Sequence, residues 1–239
     1  AWKAETSFSN DASATGVGTI DSTGSVSTEA GFSIISYTGT GSNATVAHGL
    51  GAVPEWIIFK DRDNVNDWVI YHVALGNTHA IKLNSTAVAF DEATIFNDTT
   101  PTSSVFSLGT ANLANNTAAT IAYCFAGKEG YSKFGSYAGN GNADGPFIYT
   151  GFRVSMVILK RTDSGGSWTI SDSVRDTSNP ITPYLFPAAS DAEATDTSNE
   201  IDFLSNGFKL RHDTRNNTSS ATYIFMAFAD QPFKFSNAR

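Results

Sequence analysis

Trp56-Ile57-Ile58-Phe59-Lys60, then Asp61-Arg62-Asp63-Asn64-Val65-Asn66-Asp67, then Trp68-Val69-Ile70-Tyr71-His72-Val73: these three runs decide the fold class. Two short stretches of aromatic and β-branched residues, parted by a polar turn, read as strand, turn and strand. The scheme returns as Met156-Val157-Ile158-Leu159-Lys160, the turn Arg161-Thr162-Asp163-Ser164-Gly165-Gly166-Ser167, and Trp168-Thr169-Ile170. Lys60 and Lys160, like Trp68 and Trp168, are separated by 100 residues. The same offset of 100 relates Ser36-Tyr37-Thr38-Gly39-Thr40-Gly41 to Ser136-Tyr137-Ala138-Gly139-Asn140-Gly141.

Later matches drift, as small loop insertions require. Phe106-Ser107-Leu108 meets Phe208-Lys209-Leu210, Asn115-Asn116-Thr117 meets Asn216-Asn217-Thr218, and Phe125-Ala126 meets Phe228-Ala229. Solenoid units recur every ~20–50 residues, whereas this period is the size of a small domain. The sequence therefore predicts an all-β protein of two tandem, mutually similar antiparallel β-sandwich domains, over residues 32–134 and 135–239. Further strands are expected over residues 80–83, 105–108, 120–126, 147–149, 208–210 and 223–229, where the residue types fit a pleated, half-buried surface. Helical turns are expected only around residues 188–194. Residues 1–31 are rich in Ser, Thr, Gly and Ala, and Phe8, Val17, Ile20 and Val26 are widely spaced. They read as an extended N-terminal arm or linker ordered by a partner surface.

Composition narrows the function. Of the 239 residues, 41% are hydrophobic, enough for a core in each copy, and only 16% are charged, against about 25% in ordinary soluble domains. Ser, Thr, Asn and Gly cover the exposed faces instead, a surface suited to virion parts, secreted binding modules and adhesins. The net charge of −8, without a basic run, argues against a nucleic-acid partner. No apolar stretch is long enough for a membrane-spanning helix. Cys124 is the single cysteine and lies in an apolar run, which suits a small buried hydrophobe better than a nucleophile. The chain shows no secretory signal and starts at Ala1, which reads as a cut point within a longer polypeptide.

Candidate chemistry is sparse. There is no Gly-x-Ser-x-Gly elbow, and His48, His72, His79 and His212 never stand at a metal-ligand spacing. The turn Asp61–Asp67 fails the calcium-loop pattern, because Val65 occupies a ligand position and no glycine follows. No cofactor, metal or catalytic residue is assigned. The residues assigned to surface binding are the two hairpin tips and the tryptophans after them: Asp61, Arg62, Asp63, Asn64, Asn66, Asp67, Arg161, Asp163, Trp68 and Trp168. An exposed indole stacks on sugar rings, whereas an indole that follows a turn anchors its hairpin to the core, and the recurrence of Trp68 as Trp168 favours the anchor.

Five segments together resemble a known family. They are Ser36 to Gly41, His48-Gly49-Leu50-Gly51, Tyr131-Ser132-Lys133-Phe134-Gly135-Ser136-Tyr137, Ile201 to Leu210, and Ala227-Phe228-Ala229. They are similar to the C-terminal twin-repeat region of tailed, often marine, bacteriophage virion proteins, a region that frequently follows a concanavalin-like (LamG) domain. The resemblance covers roughly residues 31–235. It implies a virion structural protein: the distal part of a tail fibre, spike or other capsid appendage, exposed on the particle exterior and attached to a host surface. It also implies other virion proteins and copies of the same chain as partners, in a threefold assembly, with a host surface glycan as the contact and no catalysis. A stand-alone carbohydrate-binding module is the alternative, and a polysaccharide depolymerase, which would need a pair of carboxylates, is a third.

Overall fold

The computed structural model describes residues 4–230, and they form antiparallel β-sheets joined by turns and a few single helical turns. The chain divides into two compact units, one of residues up to 83 together with 89–127, the other of 84–88 with the chain from 128 onward.

In the first unit β1 (Thr6–Asn10), β2 (Ser22–Ser27), β3 (Phe32–Thr38), β5 (Trp56–Asp61), β6 (Val69–His72), β7 (His79–Lys82), β8 (Phe90–Asp91) and β10 (Ala119–Phe125) build one sheet. Its order is β1-β2-β3-β10-β5-β6-β7-β8. A ribbon of β4 (Ala44–Ala47) and β9 (Val105–Leu108) stands apart from it. Along β5 the side chains alternate between faces. Ile57 and Phe59 enter a core with Tyr37 and Ala122 of the sheet, Val46, Phe106 and Leu108 of the ribbon, and Ile95 and Phe96 of helical turn α2 (Ala93–Phe96). Asp61, two places beyond Phe59, ends the same face.

In the second unit β11 (Ser132–Ala138), β13 (Val154–Arg161), β14 (Thr169–Asp172) and β19 (Thr222–Ala229) form a sheet of order β11-β19-β13-β14. A second sheet orders as β12 (Phe147–Tyr149), β18 (Gly207–Leu210) and β17 (Ile201–Leu204), and β15 (Pro183–Tyr184) pairs with β16 (Ala194–Thr195). The core is shared by the inner faces of the two sheets, with Val157, Leu159 and Phe225 against Ile148, Phe203, Phe208 and Leu210.

Matching sequences occupy matching places within each unit. In one, β10 sets Ile121 opposite Lys60; in the other, β19 sets Ile224 opposite Lys160. The Tyr37 hydroxyl donates to the carbonyl of Ala114 at 2.6 Å, and that of Tyr137 to the carbonyl of Asn216 at 2.8 Å. Gly41 and Gly141 are both left-handed, with φ of 68° and 64°, a conformation that favours glycine. Their N–H groups donate to the carbonyls of Asn115 and Asn217.

The side chains of those two asparagines repeat the theme. Asn115 Oδ1 accepts from Thr40 N–H at 2.8 Å, and its amide donates to the carbonyls of Ser42 and Gly109. Asn217 Oδ1 accepts from Asn140 N–H at 2.9 Å, and its amide donates to the carbonyls of Asn142 and His212. Asn115 thus matches Asn217, which corrects by one residue the alignment of Asn115 with Asn216 drawn from sequence. Two adjacent asparagines score alike as letters, and only the hydrogen bonds distinguish them.

Two further expectations are corrected. The segment read as an extended arm, residues 1–31, instead contributes β1 and β2 over its described part, and β2 pairs with β3 from Ser22↔Tyr37 to Ser27↔Phe32. Backbone pairing needs few large side chains, and Ile20 and Val26 suffice to join the core. Between these strands Asp11 caps α1 (Ala12–Thr15) by accepting from Ala14 N–H. Residues 188–194 are not helical; the helical turns are α1, α2 and α3 (Asn112–Asn115), with 3-10 turns at Thr197–Asn199 and Arg215–Asn217.

Candidate functional site

The two hairpin tips differ in what they do with one location. In the first unit Asp61 is 1% exposed at the end of β5. Its carboxylate accepts from the backbone N–H groups of Asp63 and Asn64 at 2.9 and 3.0 Å. It also accepts from the side-chain amides of Asn64, Asn66 and Asn116 at 3.0, 2.9 and 3.2 Å. Burial alone would raise the Asp61 carboxyl, but these donors outweigh it and hold the group at about 2. Asn66 also donates to the carbonyl of Asn112, and Lys60 Nζ donates to the carbonyl of Asn66 at 2.6 Å. The result is a closed polar knot that packs the base of the tip.

In the second unit the equivalent location is open. The offset that matches Ala114 with Asn216 also matches Asn112 with Thr214, Leu113 with Arg215 and Asn116 with Thr218. Across the tip, Arg161 replaces Asp61, Ser164 replaces Asn64 and Gly166 replaces Asn66. Side chains that filled the knot are gone, and a cleft of about 370 Å³ remains, lined by Arg161, Gly165, Gly166, Ser167, Ser198, Thr214, Arg215, Asn216 and Thr218.

Each arginine of the cleft is fixed from behind. Arg161 Nε donates to Asp163 Oδ1 at 2.8 Å. Arg215 Nε donates to Ser198 Oγ at 3.1 Å, and its guanidinium lies over the rings of Tyr184 and Phe186, 5.0 and 5.8 Å from their centroids. Asp196 supports this arrangement from below, accepting from the Tyr184 hydroxyl at 2.7 Å and from Ser198 N–H at 2.8 Å. Among the described residues Arg215 makes no ion pair. Its backbone is left-handed, with φ of 41°, unusual for a side chain of this size. The Tyr223 hydroxyl holds that turn by donating to the Arg215 carbonyl at 2.7 Å.

The residues named from sequence scatter. Arg62, Asp63 and Asn64 are exposed at the first tip, while Asp61 is a buried structural acceptor and Asn66 bonds to it. Asp67 pairs with Lys82 at 2.7 Å. Trp68 is half-buried and stacks with Tyr123. Trp168 is 0% exposed, which corrects its place in a surface set: a fully enclosed indole offers no face to a sugar. Arg161 alone of the set lines the cleft, with Asp163 behind it.

Sequence reasoning missed Ser198, Thr214, Arg215, Asn216 and Thr218, which come from two other segments. The signal was an arginine at 161 and at 215 where the matching positions of the first unit hold Asp61 and Leu113. The histidines lie elsewhere. His48 bonds to the carbonyl of Thr102 and His72 accepts from Ala74 N–H, while His212 is buried without a polar partner for its ring nitrogens. No group of three metal-ligating side chains gathers among the described residues, and burial pushes the Cys124 thiol up to about 12. No described helix is long and apolar enough to cross a membrane.

A family model described as Domain of unknown function (DUF7483) matches residues 1–232. No curated protein and no solved structure matches the chain.

Proposed function

We propose that the chain, which belongs to the DUF7483 family of unknown function, is a non-catalytic attachment module of a bacteriophage virion, part of a tail fibre, spike or other capsid appendage on the particle exterior. The observation that carries the binding role is the arginine-lined cleft, because its walls offer donors and hydroxyls but neither a carboxylate nor an imidazole to act as a general base. The assignment to a virion rests on the sequence resemblance, and low charge density with abundant Thr and Asn agrees with it. Copies of the chain and other virion proteins are its proposed partners, in a threefold assembly.

We further propose that the two units are copies of one β-sandwich domain. The common strand order, the common register of β5 with β10 and of β13 with β19, and the matched Asn115 and Asn217 networks support this reading. Duplication explains why one copy retains the Asp61 knot while the other opens it.

Immunogold labelling of the particles that encode the chain, paired with retention of the purified chain on cells those particles infect, tests the proposal. Label on an external appendage and saturable retention are expected. Absence of the chain from purified particles defeats the virion assignment, and release of reducing sugar from host polysaccharide defeats the claim of no catalysis. The stand-alone carbohydrate-binding reading keeps the same cleft and predicts retention of the purified chain with no label on the particles.

A further inference from the structure

We infer that the cleft of the second unit recognises an acidic saccharide, a sugar bearing a carboxylate, with Arg215 as the principal anion contact and Arg161 as its second. This rests on the reading of the cleft as an attachment site, and it adds the chemical class of what is attached.

Arg215 carries the argument. Its Nε is committed to Ser198 and its plane to Tyr184 and Phe186, so its position is set before any ligand arrives. Both terminal nitrogens of the guanidinium remain without a protein partner among the described residues. A planar fork held in place with its outer edge open matches a carboxylate in two parallel hydrogen bonds. Arg161 differs in being ion-paired: its Nε and Nη2 donate to the two carboxylate oxygens of Asp163 at 2.8 and 3.5 Å, and it too lines the cleft, which makes it the weaker contact. Asp163 and Asp196 stand behind the arginines, and neither lines the cavity. An anion therefore meets donors and no facing carboxylate.

The remainder of the lining argues for a sugar over a bare inorganic anion. Ser167, Thr214 and Thr218 contribute hydroxyls, which donate and accept as sugar hydroxyls do, while the Ser198 hydroxyl is committed to Asp196 and Arg215. The volume of about 370 Å³ lies within the range of small-molecule sites, far above what one small anion fills. The first unit has Leu113 and Asp61 at the corresponding places, so the pair of arginines belongs to one copy only.

The test uses the whole chain and four probes: a trisaccharide of galacturonic acid, its methyl ester, maltotriose and sodium sulfate. Binding is read by calorimetry and by amide chemical-shift changes. The acid trisaccharide is expected to shift the amides of Gly165, Gly166 and Thr218, with affinity falling as salt rises. The methyl ester and maltotriose are expected to bind at least about tenfold more weakly, the weight of one charge-assisted pair. Arg215→Asn suits the test because asparagine tolerates the left-handed backbone there. It should weaken the acid trisaccharide by at least about tenfold while amide chemical shifts away from the cleft show the chain still folded, and Arg161→Gln, which leaves that turn untouched, should weaken it to a lesser degree.

Equal affinity for acid and ester overturns the inference, as does sulfate binding as tightly as the trisaccharide, or acid binding indifferent to both variants. No binding of the acid at millimolar concentration also overturns it. Cell retention separates the two levels of the argument. Retention that survives Arg215→Asn removes the acidic saccharide and leaves attachment standing, whereas binding of the acid without any cell retention removes attachment and leaves the saccharide.

Discussion

Replacing Asp61 by asparagine should destabilise the first unit strongly at neutral pH and much less in acid. The carboxylate accepts from two backbone N–H groups and three side-chain amides, and no cation pairs with it among the described residues. Its fall from the ordinary 3.8 to about 2 corresponds, at about 1.4 kcal/mol per pH unit, to about 2 kcal/mol of stability. The sign follows from proton binding. Between the two values the unfolded chain holds the proton and the folded one does not, so this stability is complete above about pH 4 and falls as the pH falls, about half of it remaining near pH 3. The substituted side chain would also turn an amide toward donors, adding about 1–3 kcal/mol for groups left unpaired. Urea denaturation of wild type and Asp61→Asn, followed by circular dichroism from pH 7 to pH 2, reads both parts. A difference of about 3 kcal/mol at pH 7, narrowing by about 2 kcal/mol toward pH 2, is expected. Equal midpoints at pH 7, or a difference that does not change with pH, would refute the reasoning.

Asn217→Ala removes a buried side chain that bonds to His212, Asn142 and Asn140, and should cost about 2–4 kcal/mol in chemical denaturation. Lys160 is buried, and burial, with Arg161 beside it, lowers its ammonium from 10.5 to about 8. Because the unfolded chain binds the proton more tightly, wild type should gain stability as pH rises from about 8 toward 10, and Lys160→Met should lack that gain in matched urea titrations. Cys124, 0% exposed with its thiol near 12, should stay unmodified by an aromatic disulfide reagent in the native chain and react once denatured. Trp168→Ala should cost about 3–5 kcal/mol in urea denaturation, and Trp68→Ala, at a half-buried ring, clearly less.

The strands were readable because their apolar residues alternate or cluster between polar turns. The run 56–60 became Trp56–Asp61, and 147–149 became Phe147–Tyr149 as expected. β1 and β2 were not readable, since Ser, Thr and Gly carry little strand preference and their order comes from pairing with β3. Helical turns of four residues leave too little periodicity to see, which is why α2 and α3 escaped. The cleft escaped for a different reason. Arg161, Ser198 and Arg215 are far apart in the chain, and none belongs to a motif; only folding brings them to one wall.

The hairpin tip emerges from this comparison as an exchangeable cassette. Lys60 and Lys160 hold their tips from the strand, through the carbonyls of Asn66 and Arg161 respectively, and the core residues beneath take no part. Six of the seven tip positions differ, and the three that build the sealed base, Asp61, Asn64 and Asn66, stand where the open one has Arg161, Ser164 and Gly166. A protein whose target surface varies gains from such a layout, because the recognising residues can be rewritten while the sheets keep their register. Under the attachment role proposed above, the tip of the second unit is the part free to change, because it carries no buried carboxylate on which its folding depends.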